Sequence, residues 1–111
     1  ASDVYKRQTM GSIFRVPFVY VSELSPVLTQ MHERGIHTYA AHLKGQKYYD
    51  SFSFREPIAF LIGNEGNGLT KEISDQAGQY LKIPMEGKVE SLNASIAAAL
   101  LMYEAHRQRN L

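Results

Sequence analysis

Residues 58–62 read Ile-Ala-Phe-Leu-Ile, five apolar side chains in a row, and the next six read Gly-Asn-Glu-Gly-Asn-Gly. An unbroken apolar run of this length fits a strand covered on both faces. That is the situation of a strand in a parallel sheet packed between helices. Other segments support the same architecture. Residues 17–21 (PFVYV), 36–41 (IHTYAA) and 80–83 (YLKI) read as short strands. Residues 24–34 read as a helix with Leu24, Val27, Leu28 and Met31 on one face, stopped by Gly35. Thr70 is placed to cap a short helix with Glu72 in its first turn. Residues 91–109 read as a long helix, apolar nearly all round through Ala94 and the run from Ile96 to Met102, and so expected to be largely buried. Strands alternating with helices predict an α/β domain with a mostly parallel sheet and flanking helices.

In such a sheet, ligands sit beyond the carboxyl ends of the strands. Three segments leave strand ends there: 41–45, 63–69 and 84–91. The middle one carries glycines at 63, 66 and 68. Their order, G-x-x-G-x-G, is neither the dinucleotide fingerprint nor a phosphate loop, which would end in G-K-[ST]. One glycine suffices for an ordinary strand-to-helix turn. Three suggest main chain brought close to something flat, such as an adenine ring or another chain segment. Glu65 lies in the middle of this turn; by itself it is a candidate polar contact or a solvated turn residue. In the third segment Ser91 is a natural N-cap, at a helix start whose free N–H groups favour an anion or a ligand oxygen. Asn93 lies within the first turn that follows.

The bulk numbers narrow the class of partner. The 111 residues make one domain, and a hydrophobic fraction of 44% supports a packed core. A net charge of +1 excludes a broadly basic nucleic-acid-binding surface, so any basic site is local. The loop 42–57 is either such a site, in Lys44, Lys47, Tyr48, Tyr49 and Arg55, where aromatic rings accompany the cations, or a solvated surface loop. There is no cysteine, hence no disulfide and no thiolate metal site. His32, His37, His42 and His106 have no metal-ligand spacing, and no metal is expected. No apolar run is long enough to span a bilayer and no signal pattern opens the chain, so a cytoplasmic protein is expected. Residues 1–8 (ASDVYKRQ) fit no helix or strand period and look like a translated sequencing adapter, so they are expected to be a non-native tail.

The ordered set GNEGNGL, IPM, ESLNASIAAAL and YEAHRQR closely resembles the last two motifs of the SpoU, or TrmH, family of SPOUT-class RNA methyltransferases. The likeness runs from about Thr9 to Leu111, with residues 10–17 similar to the segment before the family's third strand. It implies a deep trefoil knot, a homodimer, S-adenosylmethionine as cofactor, and rRNA or tRNA as substrate, methylated at the ribose 2′-oxygen. It also implies roles for particular residues. Ala41, Gly63, Ile83, Met85, Ser91 and Leu92 match positions that hold the cofactor, mainly by backbone groups. Glu65, Ser91 and Asn93 match the polar catalytic residues. Lys44, Lys47, Tyr49 and Arg55 are the candidate RNA contacts. The family's first motif, with its asparagine and arginine, is not found, so residues 9–111 are expected to be the C-terminal part of a catalytic domain. The alternative is a non-catalytic relative that binds RNA or cofactor and dimerises.

Overall fold

The computed structural model describes residues 17–42, 45–63, 69–83 and 94–111. Among them, α1 (Ser25–Glu33), β1 (His37–Ala41), β2 (Ile58–Leu61), α2 (Lys71–Gln76), β3 (Gln79–Leu81) and α3 (Ala94–Arg109) follow in chain order. A 3-10 turn, Tyr49–Ser51, interrupts the long connection between β1 and β2. The three strands form one parallel sheet in the order β2-β1-β3.

Each element has a local cause. α1 opens with a proline at its start, where the missing N–H costs nothing, and ends where Gly35 takes φ +76°. The Ile36 N–H then closes the turn on the Met31 carbonyl at 2.9 Å. α2 is capped as expected: the Ile73 N–H donates to Thr70 Oγ1 at 3.3 Å. Alternation along β1 sorts its side chains onto two faces. Tyr39 joins Phe54, Leu81 and Leu101 in a core on the side covered by α3, where Phe54 packs edge-on against Tyr39 and Phe60 at 5.2 and 5.0 Å. Ala40 joins Leu28 and Leu61 on the side covered by α1 and α2. The parallel α/β sandwich is as expected.

Four expectations change. Residues 17–21 form no strand; Phe18, Val19, Tyr20 and Val21 stand exposed, with no pairing edge among the described residues. Ile58, Ala59 and Phe60 are only half-buried, because β2 is the outer strand of the described sheet. The third strand is shorter, Gln79–Leu81, continued by one parallel bridge from Lys82 to Tyr48. α3 is not buried all round. It buries one stripe, Ala97, Leu101, Glu104 and Gln108, at helical spacing, while Met102 and Tyr103 are 60% and 74% exposed. One face of a helix is all that a single sheet can cover.

The resemblance implies that the C-terminal helix passes through a loop, with the glycines at 63, 66 and 68 making room for the crossing; Gly66 and Gly68 lie outside the described residues, as does the proposed tail 1–8. What is described is the loop 45–57. It runs past the outer edge of β3 at Lys82, touches α3, and returns to β2 on the other side of β1.

Candidate functional site at the carboxyl ends of the strands

The parallel register brings the three strand exits together. Ala41 pairs with Leu81, and Ala40 pairs with Leu61. Gly63 and Ile83 each lie two residues beyond those partners, so Ala41, Gly63 and Ile83 emerge at one edge of the sheet. This juxtaposition needs only the strand order: β1 is central and both neighbours run the same way.

Main-chain bonds stiffen that edge. The His42 N–H donates to the Leu81 carbonyl at 2.9 Å, and the Gly45 N–H turns back to the His42 carbonyl at 3.0 Å. Gly45 then lies against β3 so closely that a Cβ there would stand 2.9 Å from the Leu81 carbonyl carbon. Glycine is required by this approach and not by a left-handed conformation. The loop next embraces Lys82: the Lys82 N–H donates to the Lys47 carbonyl at 2.9 Å, and the Tyr49 N–H donates to the Lys82 carbonyl at 2.8 Å. Lys82, and with it the backbone entering Ile83, is therefore fixed from the outside as well as by β1.

Side chains around the edge are mixed in character. The His42 ring stacks on Tyr80 at 4.8 Å with planes 14° apart. The Tyr80 hydroxyl donates to Asp75 Oδ1 at 2.7 Å, and this bond to a carboxylate raises the phenol pKa above its ordinary value. Lys82 Nζ lies 5.9 Å from the centre of the exposed Tyr48 ring, within cation–π range. Lys47 is exposed beside them. Among the described residues no group of three or more histidines or carboxylates converges as a metal site.

The candidate residues divide accordingly. Ala41, Gly63 and Ile83 are brought together. Of the candidate RNA contacts, Lys47 is on the surface, Tyr49 packs half-buried against the aromatic core, and Arg55 Nε donates to the Gln108 carbonyl at 3.1 Å. Lys44, Glu65, Met85, Ser91, Leu92 and Asn93 lie outside the described residues. The sequence alone does not single out Gln108, whose side chain ties α3 to the loop, or Glu104, which holds the Gln108 amide in place. The signal available was their i, i+4 spacing in register with Ala97 and Leu101, which puts polar groups on a buried stripe.

Comparison with known proteins agrees with this fold. Residues 1–103 match the SpoU rRNA Methylase family. The chain is 38% identical over 104 residues to YacO of Bacillus subtilis, named as a TrmH family tRNA/rRNA methyltransferase, covering 94% of this chain. It spans 42% of the length of that relative. A crystal structure of an RNA 2′-O ribose methyltransferase superposes with a TM-score of 0.84 at 35% identity, over 96% of this chain and 41% of that one. AviRb, a SpoU methyltransferase from Streptomyces viridochromogenes crystallised with AdoMet, also superposes at 0.84, with 34% identity, over 93% of this chain and 41% of that one.

Proposed function

The chain belongs to the SpoU rRNA methylase family, and from that premise we propose that it is the cofactor-binding portion of an RNA ribose 2′-O-methyltransferase. The observation that carries the reading is the meeting of Ala41, Gly63 and Ile83 at one sheet edge, set by the order β2-β1-β3. A site made largely of main chain suits a ligand recognised by its ring edges and hydroxyls, and the glycine at 63 leaves room for close approach. S-adenosylmethionine, when bound, supplies a methyl group on a sulfonium centre. Ala41, Gly63 and Ile83, with Met85, Ser91 and Leu92, hold it. Glu65, Ser91 and Asn93 orient the substrate ribose, so that the 2′-oxygen approaches the methyl group in line. The specificity for ribose follows the solved relative described as a 2′-O methyltransferase.

RNA is bound beside this edge. Exposed Lys47, with Tyr48 and Lys82 next to it, offers phosphate contacts and a ring on which a base can stack. Lys44 adds a further charge, while Tyr49 and Arg55 shape the loop more than they reach from it. The chain pairs with a second copy, and its C-terminal helix passes through a loop to make a trefoil knot. An RNA substrate fits the cytoplasm.

Isothermal titration with S-adenosylhomocysteine tests the reading. The folded chain is expected to bind. Gly63→Val, which fills the space at the strand exit, is expected to weaken binding at least about tenfold, or 1.4 kcal/mol. Absence of binding by the folded chain overturns the family-based assignment of the ligand, and unchanged affinity in Gly63→Val overturns the placement of the site. Transfer of labelled methyl to RNA, in a chain of the relatives' full length, separates an enzyme from a non-catalytic relative. The activity is expected to vanish in Asn93→Ala.

A further inference from the structure

α3 changes character along its buried stripe. Ala97 and Leu101 meet the aromatic core, but the next two positions, Glu104 and Gln108, are polar and equally buried, at 7% and 8% exposure. Both ends of the Gln108 amide are used. Its Oε1 accepts from the Phe54 N–H at 2.6 Å, and its Nε2 donates to the Phe52 carbonyl at 2.9 Å. A side-chain amide here takes the place of a neighbouring strand for the extended backbone of residues 52–54. Its orientation is not free, because Nε2 also donates to Glu104 Oε2 at 2.9 Å. The Glu104 carboxylate is in turn gripped by Arg107 through two bonds, at 2.7 and 3.0 Å.

Arg109 continues the clasp, donating from Nε to the Phe54 carbonyl and from a terminal nitrogen to the Glu56 carbonyl, each at 2.9 Å. Arg55 answers from the loop with its bond to the Gln108 carbonyl. The loop 45–57 is thus held at two points: behind by the end of α3, and in front by the pair of main-chain bonds around Lys82. The front point is one residue from Ile83.

We infer that Gln108 is a positioning residue for the methyl-donor site: by fixing residues 52–56 it sets the course of the loop across Lys82, and so the backbone at Ile83. This rests on the proposed location of the donor at the strand exits. A group that only stabilised the fold would leave the affinity of the folded protein unchanged when replaced. A positioning group would not, since small displacements of binding groups cost affinity.

The test is S-adenosylhomocysteine titration on the whole chain, well below its melting midpoint, with circular dichroism confirming the fold. Gln108→Met keeps length and helix propensity but abandons both backbone groups, and is expected to weaken binding about tenfold. Gln108→Glu supplies a second readout. The charged groups around position 108 are Glu104, Arg107, Arg55 and Arg109, with Asp50 acting on Arg107 from the loop. A glutamate there would face Glu104, so one of the two carboxyls would hold its proton into mildly acidic pH. Protonated, the group offers one acceptor for the Phe54 N–H and one donor for the Phe52 carbonyl, without the second donor that Nε2 gives Glu104. Gln108→Glu is therefore expected to bind weakly at about pH 8 and to recover part of the lost affinity at about pH 5.5. The wild type is measured at both pH values as the reference. Wild-type affinity in a folded Gln108→Met chain overturns the inference. If that variant does not fold, equal relative affinity of Gln108→Glu at the two pH values overturns it. Failure of the wild type to bind overturns the donor site itself, and the role of Gln108 with it.

Discussion

Gly45 shows how a single residue can be demanded by packing where its own dihedral angles would accept others. Its missing Cβ is what allows the loop to lie on β3, since the nearest atoms are the carbonyl group of Leu81 and the Lys82 nitrogen, none of which can rotate away. Gly45→Val is expected to lower stability by about 1–3 kcal/mol, as overpacking against rigid neighbours does, measured as a shift in the urea midpoint with little change in slope. A midpoint equal to that of the wild type would mean that the loop can lift off β3 freely. Nothing in the letters around residue 45 announces this contact, because its partner is thirty-six positions away and consists of backbone. Gly35 is the opposite case. A helix of apolar period followed by glycine is read locally, and the positive φ is there.

At the scale of elements, what could be read in advance was whatever depends on near neighbours: the apolar run that became β2, the threonine cap of α2, the stop of α1. What escaped depends on distant partners. Residues 17–21 have strand-forming side chains, but propensity says nothing about whether an edge is available to pair with. The long helix looked uniformly apolar because its alanines hide the difference between its faces. Glu104 and Gln108 become intelligible only once residues 52–54 are seen against them. This stripe also has a pH signature. Hydrogen bonds from Arg107, then Gln108, hold the Glu104 carboxyl below its ordinary value. A carboxyl lowered by folding contributes stability above its unfolded value, about 4.3, and loses it as pH falls through the folded value. Glu104→Gln is thus expected to be less stable than the wild type at neutral pH, and the gap should narrow on acidification. Parallel pH profiles in denaturant melts would show that Glu104 makes no such contribution.

For the molecule as a whole, the described residues leave an apolar surface uncovered. On α3, Ile96, Leu100 and Tyr103 recur at helical spacing with exposures of 52%, 38% and 74%. A surface of this kind favours association. If the proposed pairing of two copies uses it, Leu100→Glu should halve the mass seen by sedimentation velocity while the fold persists; an undiminished mass would assign the contact to other residues. The candidate site at the strand exits could be located in advance, since parallel sheets put ligands there, but its candidate polar residues at 65, 91 and 93 are outside the described residues.

The clasp between residues 52–56 and 108–109 also has a consequence for synthesis. A ribosome releases the loop some fifty residues before the side chains that anchor it. During that interval the nascent polypeptide can form α1, β1 and β2, but the loop lacks its rear attachment. Competence to capture a ligand at the proposed site would then come late, only once the end of α3 has left the ribosome.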